Sequence, residues 1–226
     1  MINHQRDFQL FAKDRRISGL TMHNYNKRFN SNINGSYINP TIIEERQLNV
    51  ASMDVFSRLM MDRIIFLGTG IDDTVGNVIT AQLLYLASVD KTTPISLYLN
   101  SPGGAVHSGM SIYDTMNFVS CDVNTIVCGM AASMGFILTI NGKHRSALKH
   151  SRLMQHQPMG SANGQATDIL IEATQIKIIR DELYEIIAEK TKQPLEKVAI
   201  DCERDYWMTA IEAKTYGVLD KVIGVD

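Results

Sequence analysis

The sequence predicts an α/β fold built around a largely parallel sheet. The order strand, glycine-containing turn, helix occurs three times between residue 63 and a helix expected from about Ala131. The strands in these units are short apolar runs, which is typical of strands covered on both faces. With 226 residues, of which 45% are hydrophobic, the chain is long enough to bury one sizeable core.

A short helix is expected before the first of these units. In VASMDVFSRLMM, Met53, Phe56 and Met60 fall on one helical face. The apolar run 63–67 follows and ends at a pair of nearby glycines. It therefore predicts a buried strand.

The first long helix is expected to run from Asp72 to Ala87. Asp72 and Asp73 are side-chain acceptors that favour a helix N-terminus. Apolar residues repeat along one stripe of this helix, namely Val78, Ala81, Leu84 and Tyr85.

Two further units follow in the same order. The run 94–100 predicts a strand, SPGG (101–104) a turn, and 105–118 a helix. The run 122–129 predicts another strand, and small residues from about Ala131 begin the next helix. Glycine turns between strand and helix are where such folds usually place their chemistry.

The C-terminal part begins with a polar stretch, GSANGQATD, and a helix from Ala166 to about Lys190. A helix of about 24 residues is about 36 Å long. Apolar residues on more than one side of it favour burial against another subunit, although an ordinary core helix is the alternative. These residues are Ile169, Ile171, Ile176, Ile178, Ile179, Leu183, Ile186 and Ile187.

Shorter elements close the chain. A helix is expected from Pro194 to about Ile200, and Thr209 with Glu212 forms a capping box for the next helix. Gly217 is the expected C-terminal cap of that helix, before a last strand at 218–223.

Composition excludes several classes of function. A net charge of −2 gives no electrostatic reason to expect nucleic acid, and no apolar run is long enough to span a bilayer. The three cysteines form no CxxC motif and the histidines no metal-binding pair, so we expect no metal and a reducing, cytoplasmic location. Residues 1–36 are polar and predict a flexible leader or propeptide before one domain at 37–226. An organelle transit peptide is a weaker alternative.

GMAASMG, residues 129–135, holds a single hydroxyl, that of Ser133, among small and apolar residues. A serine nucleophile needs a base, a group that orients the base, and donors for the developing oxyanion. Small neighbours also suit a sharp turn from strand to helix. Ala131 stands where the nucleophile elbow GxSxG has its first glycine, so the motif is incomplete. A small residue at a tight helix start is the competing interpretation.

Candidate partners for Ser133 occur later in the chain. His156 follows a short apolar run and precedes a proline, which predicts a position at a strand end. Asp205 lies beside two aromatic residues that could shield it, although Arg204 could instead pair with it at the surface. The glycines of SPGG could bring backbone N–H groups close to a substrate carbonyl.

Several long motifs resemble one family, the proteolytic subunit of the Clp protease (ClpP). They are NSPGGAVHSGMSIYDTM, GMAASMG, MQHQPMG, GQATDI and ERDYWMTAIEAKTYGVLD, and the likeness runs in order from about Pro40 to the C-terminus. The resemblance implies the α/β ClpP/crotonase fold, made of stacked ββα-type units with a protruding handle strand and helix at about 160–190.

The resemblance also implies a serine endopeptidase. Ser133 matches the nucleophile, His156 the base and Asp205 the third member of the triad, while Asp201 is a nearby acid outside the motif position. The remaining family positions are the oxyanion hole, at Gly104 and Met134; substrate binding, at Gly103, Gly160 and Ser161; and partner docking, at Tyr98 and Phe118.

Members of this family form two stacked heptameric rings around a chamber. An AAA+ unfoldase such as ClpX or ClpA/ClpC feeds unfolded proteins into it. We therefore expect this homo-oligomer, no cofactor, and ATP used by the partner, since no GxxxxGK[ST] motif occurs. Two rival readings are an acyl-CoA enzyme of the crotonase fold and a non-catalytic ring subunit.

Overall fold

The structure is a computed structural model that describes residues 41–46 and 49–225. The chain divides into two compact units, Met1–Asp62 and Arg63–Asp226. The leader expected at 1–36 lies outside the described residues. That leader and the single domain at 37–226 stay predictions.

The described part of the first unit is a hairpin and one helix. Strands β1 (Thr41–Arg46) and β2 (Asn49–Asp54) pair antiparallel, and α1 spans Val55–Met61. Asp54 caps this helix by accepting the Ser57 N–H at 2.9 Å. The predicted helical face was wrong at Met53, which lies in β2, because the helix begins only after its cap.

The second unit contains a mainly parallel sheet. Strands β3 to β6 and β9 follow one another in the order β3-β4-β5-β6-β9, all parallel. Strand β7 also pairs parallel with β5, and β8 pairs antiparallel with β7. The strands are β3 (Ile64–Leu67), β4 (Ile95–Ser101), β5 (Val123–Ala132), β6 (Arg145–Leu148), β7 (Arg152–Gln155), β8 (Tyr206–Thr209) and β9 (Lys221–Ile223). The α/β fold class is confirmed.

Six helices accompany this sheet in the described residues of the second unit. They are α2 (Asp73–Val89), α3 (Val106–Phe118), α4 (Met134–Ile140), α5 (Ala166–Thr191), α6 (Leu195–Asp201) and α7 (Ala210–Tyr216). The predicted caps are confirmed: Asp72 caps α2, the Thr209–Glu212 capping box starts α7, and Gly217 ends it.

Helix α2 buries a different stripe from the one that the sequence suggested. Gly76, Ile79, Leu83 and Leu86 face inward, whereas Leu84 and Tyr85 are exposed. The reason is the close packing of α2 on α3, since a Cβ on Gly76 would lie only 3.0 Å from the Ser108 Cβ. Only a stripe that contains this glycine can approach so closely.

Two segments of strand β5 pair with two different strands on the same side. Residues 125–127 pair with β6, and residues 130–132 pair with β7. Gly129 lies between them at a φ of 133°, and its Cβ would be 2.5 Å from the Asn100 Oδ1 that accepts the Met130 N–H. The helix predicted from about Ala131 was therefore misplaced, because the pairing with β7 keeps the strand extended through Ala132.

The core of this unit surrounds α4. All seven residues of α4 are buried, as are Leu97 and Leu99 of β4 and Val127 of β5. Each such aliphatic side chain contributes about 1.5–3 kcal/mol through burial. Helix α4 is therefore held rigidly, and so is the residue at its N-terminus.

The long helix α5 confirms the prediction for 166–190. Its first 17 residues, 166–182, include no buried side chain in the single chain, and the buried ones are Leu183, Tyr184, Ile187 and Thr191. Arg145 anchors its end by donating to the carbonyl oxygens of Lys190 and Gly217, at 3.1 and 2.9 Å. Arg145 also pairs with Asp220. Partial burial alone would raise the pKa of Asp220. The hydrogen bonds that Arg145 donates to this carboxylate outweigh burial and hold the pKa of Asp220 below its usual value.

Candidate active site

The pairing of β7 with β8 brings a histidine and a carboxylate together. Gln155 at the end of β7 lies opposite Tyr206 at the start of β8. In an antiparallel pair the next residues outward, His156 and Asp205, also face each other. His156 Nδ1 lies 3.1 Å from Asp205 Oδ1.

The pairing of β7 with β5 brings Ser133 to the other side of the same histidine. Ala132 pairs with Met154, and the Ser133 N–H donates to the Met154 carbonyl at 3.0 Å. Ser133 Oγ lies 2.9 Å from His156 Nε2. The three side chains predicted from the sequence thus form one continuous hydrogen-bonded chain.

Ser133 adopts a strained backbone at the junction of β5 and α4. Its φ is 54° and its ψ is −122°, a combination that costs a non-glycine residue about 1–3 kcal/mol. Its carbonyl accepts from the N–H groups of Phe136 and Ile137, at 2.9 and 3.2 Å. The sharp turn expected at GMAASMG is confirmed, and the turn lifts the hydroxyl out of the sheet towards His156.

The glycine loop lies directly against this turn. Gly103 has a φ of 91°, and a Cβ there would be 2.7 Å from the Ser133 Cβ and 2.8 Å from the Met134 nitrogen. The Ile71 N–H donates to Gly103 O and the Ala105 N–H donates to Ile71 O, both at 2.8 Å. In a parallel bridge of this kind, the N–H of the intervening residue points away from the partner strand.

Two backbone donors result from this arrangement. The intervening residue is Gly104, whose N–H points away from Ile71. The Met134 N–H belongs to the first residue of α4, where no carbonyl of the same helix can accept it. Both residues adjoin the contact between Gly103 and Ser133, as an oxyanion site would require.

The accessibility of the two titratable partners differs. The His156 side chain is 13% exposed and that of Asp205 is 61% exposed. The expectation that aromatic neighbours shield Asp205 was wrong for this chain, because Tyr206 and Trp207 are themselves 36% and 49% exposed. The nearby acid Asp201 makes other contacts, to Tyr216 and Lys197.

A small apolar cavity of about 20 Å³ adjoins Ser133 and His156. Its apolar lining includes Val106, Met134, Phe136, Ile137, Leu183 and Ile187. A larger cavity of about 420 Å³ lies at the other end of β5 and contains none of the three aligned side chains. The reacting atoms, rather than cavity volume, therefore locate the candidate site.

The remaining predicted positions lie on other elements. Gly160 and Ser161 are exposed in the loop between β7 and α5, where Gly160 packs against Ile176 of α5. Tyr98 of β4 is half-buried, opposite Phe66 of β3. Phe118, at the end of α3, is 81% exposed.

Within residues 41–46 and 49–225, no group of three or more His, Cys, Asp or Glu side chains could hold a metal ion. No helix in the described part of the chain is long and apolar enough to cross a membrane.

The site contains a serine hydroxyl hydrogen-bonded to a histidine that contacts a carboxylate, at the carboxyl ends of parallel strands in an α/β sheet. This arrangement defines the class of serine hydrolases. The model of the family described as Clp protease matches residues 46–226. The chain belongs to the Clp protease family.

Curated relatives agree with this assignment. An ATP-dependent Clp protease proteolytic subunit from Porphyromonas gingivalis is 60% identical over 193 residues, which is 84% of this chain and 87% of the relative. Proteins of the same name from Bacteroides thetaiotaomicron and Bacteroides fragilis are also 60% identical, each over 189 residues. These alignments cover 83% of this chain, and 86% and 91% of the respective relatives.

The contacts of the side chains that flank His156 were not predicted from the sequence. Gln155 is only 1% exposed and donates a hydrogen bond to Tyr216, although the apolar residues before it, Leu153 and Met154, do not predict a polar residue in the core. The available signal was the glutamine itself, at a strand position that alternation assigns to the interior.

Replacing Gly103 by alanine should reduce kcat/KM for a short peptide by roughly 10²-fold. The new Cβ would press on Ser133 and on the Met134 N–H in a backbone conformation that favours glycine. Gly70→Ala is the matched control, because its Cβ would make only an ordinary contact, 3.7 Å from Gly103 O. Full activity in the Gly103 variant, measured by steady-state kinetics, would contradict this view of the loop.

Proposed function

We propose that this chain is the serine endopeptidase subunit of a self-compartmentalised, ATP-dependent protease. The observation that carries the proposal is the unbroken contact from Ser133 Oγ through His156 to Asp205, at 2.9 and 3.1 Å. The membership of the chain in the Clp protease family supports it. Both favour peptide hydrolysis over acyl-CoA chemistry or a non-catalytic ring role.

Acylation begins when His156 Nε2 takes the proton of Ser133 as Oγ attacks the peptide carbonyl carbon. The carbonyl oxygen becomes an oxyanion and accepts from the N–H groups of Gly104 and Met134. His156 then gives its proton to the amide nitrogen and the C–N bond breaks. The amine product departs, and the acyl group remains on Ser133 as an ester.

Deacylation follows the same route with water. His156 takes a proton from water, whose oxygen attacks the ester carbonyl and forms a second oxyanion in the same hole. The C–O bond to Ser133 breaks, Oγ recovers the proton from His156, and the carboxylic acid product leaves. Throughout, Asp205 accepts from the Nδ1–H of His156 and stabilises the imidazolium.

Substrate binding involves Gly103 beside the nucleophile and Gly160 with Ser161 in the loop after β7. The exposed backbone of that loop is available to pair with an extended peptide. The cavity beside Ser133, at about 20 Å³, is too small to hold a side chain, but the apolar residues that line it favour an apolar substrate side chain next to them.

The oligomer is a pair of stacked heptameric rings, with α5 at the interface between rings. The support is the apolar surface on 166–182, where Leu170 and Ile171 are 68% and 56% exposed in the single chain. Apolar surface of this extent on a helix favours burial by another copy.

An AAA+ unfoldase such as ClpX or ClpA/ClpC supplies unfolded proteins, and it is the partner that hydrolyses ATP. The relatives are named as ATP-dependent, while this sequence has no phosphate-binding motif of the GxxxxGK[ST] type. Tyr98 and the exposed Phe118 are the docking positions. The three cysteines Cys121, Cys128 and Cys202 are free thiols. Free thiols favour a reducing compartment, here the cytoplasm.

Ser133→Ala should lower peptide cleavage by on the order of 10⁵–10⁶-fold and leave the assembly intact, because only the nucleophile is lost. Turnover of a fluorogenic peptide amide, together with the particle mass, measures both effects. A variant that cleaves at the wild-type rate would show that another residue attacks the peptide.

Replacing Leu170 and Ile171 together by aspartate should split the particle into single rings, because charge would enter an apolar interface. Ile211→Asp on α7 is the control, since Ile211 is 55% exposed. Sedimentation measures the particle size. Persistence of the double-ring mass in the α5 variant would remove the case for α5 as the ring-pairing element.

A further inference from the structure

The residues on either side of His156 are tied to the turn that leads to Asp205. On one side, the Gln157 N–H donates to the Cys202 carbonyl at 2.7 Å. The Gln157 side chain donates to the Glu203 carbonyl at 3.2 Å. The end of α6 and the loop after β7 are thereby held together.

On the other side, a buried hydrogen-bond chain makes a second tie. Gln155 Nε2 donates to the Tyr216 hydroxyl at 3.0 Å, and that hydroxyl donates to Asp201 Oδ2 at 2.7 Å. Lys197 also pairs with Asp201. The chain links the last residue of β7, through the end of α7, to the last residue of α6.

Packing alone does not explain a glutamine at position 155. Its Oε1 is buried and has no hydrogen-bond partner within the described residues. An orphaned buried acceptor destabilises the folded state, and an apolar side chain of the same size would avoid that cost. The side chain that is present gains only its bond to Tyr216.

The need for such ties follows from the exposure of Asp205. At 61% exposure in the single chain, the Asp205 carboxylate is only partly enclosed by other side chains, and its distance from His156 depends on the course of the turn 202–204. Each end of that turn adjoins a residue whose position is fixed by other contacts. One end is Asp201 in the buried chain, and the other is the start of β8 at Tyr206.

We propose that Gln155 and Tyr216 are positioning residues that set the contact between His156 and Asp205. The proposal rests on the proposed function, in which that contact supports the imidazolium. The two side chains touch neither substrate nor the reacting atoms, and they act through the strand end and the turn. Without them the carboxylate would move away from Nδ1 for a larger fraction of the time.

The Tyr216 hydroxyl in this chain and the neighbouring Cys202 thiol stay protonated near neutral pH. Burial and the hydrogen bond to Asp201 raise the pKa of Tyr216, so its hydroxyl remains a donor. Burial, together with the Asp201 charge, raises the pKa of Cys202 to about 12, so this thiol stays neutral. The Tyr216 ring also faces two neighbours. Lys197 Nζ lies 4.6 Å from its centroid, and the centroid of the Tyr206 ring lies 5.9 Å from it.

The test compares Tyr216→Phe and Gln155→Met with wild type in the assembled particle. Tyr113→Phe is the matched control, because Tyr113 is 8% exposed against 7% for Tyr216 and lies in α3. Cleavage of a fluorogenic peptide amide gives kcat and KM from pH 5 to 9, and thermal unfolding gives the stability of each variant.

We expect Tyr216→Phe to lower kcat roughly 10-fold to 100-fold at nearly constant KM. The acid limb of its pH–rate profile should move to lower pH, because the imidazolium loses support from Asp205. Gln155→Met should lower kcat by a smaller factor without loss of thermal stability. The double variant should be no slower than Tyr216→Phe alone, because both changes break one chain.

Wild-type kcat and an unshifted acid limb in Tyr216→Phe would overturn the proposal, and so would equal losses in the Tyr113 control. If Tyr216→Phe fails to fold, the Gln155→Met profile decides in the same way. Failure of the proposed function would look different, since wild type and Ser133→Ala would then cleave the peptide equally.

Discussion

The candidate site depends on the position of β7 between two partner strands. Pairing with β5 fixes Ser133 beside the end of β7, and pairing with β8 fixes Asp205 on the other side. His156 is the first residue beyond β7, so one strand end sets both contacts of the base. A shift of one residue in either register would turn the paired side chains to the opposite face and break the alignment.

The second constraint is the space around the nucleophile. Ser133 has a strained backbone, held by the buried helix α4 that follows it and by the glycine loop that precedes α3. Larger residues at Gly103 would enter the volume of Ser133 or displace the Met134 N–H. The small residues of GMAASMG therefore allow the sharp turn and the access of the backbone N–H donors. Ser133 has no polar neighbour in this segment because its partners, His156 and Asp205, come from strand ends that are distant in the sequence.

The sequence predicted the local elements well where the signal was local. The caps at Asp72, Thr209 and Gly217, and the long helix α5, depend on neighbours in the chain. Two predictions failed because tertiary contacts decided them: β5 extends through Ala132 to pair with β7, and α2 turns Gly76 inward to approach α3. Local patterns marked Ser133, His156 and Asp205 as candidates, and the resemblance to the family assigned them the roles of a triad. The tie through Gln155, Tyr216 and Asp201 joins three elements and has no sequence spacing to reveal it.

Ser133 is the residue whose activation by the side chains that strand pairing brings to it is central to the proposed function. Intact-mass measurement after treatment with a fluorophosphonate tests this directly, with Ser133→Ala treated in parallel, because the reagent labels activated serines. We expect one adduct per wild-type chain and none on the variant. An unlabelled wild-type particle, or equal labelling of both proteins, would contradict it.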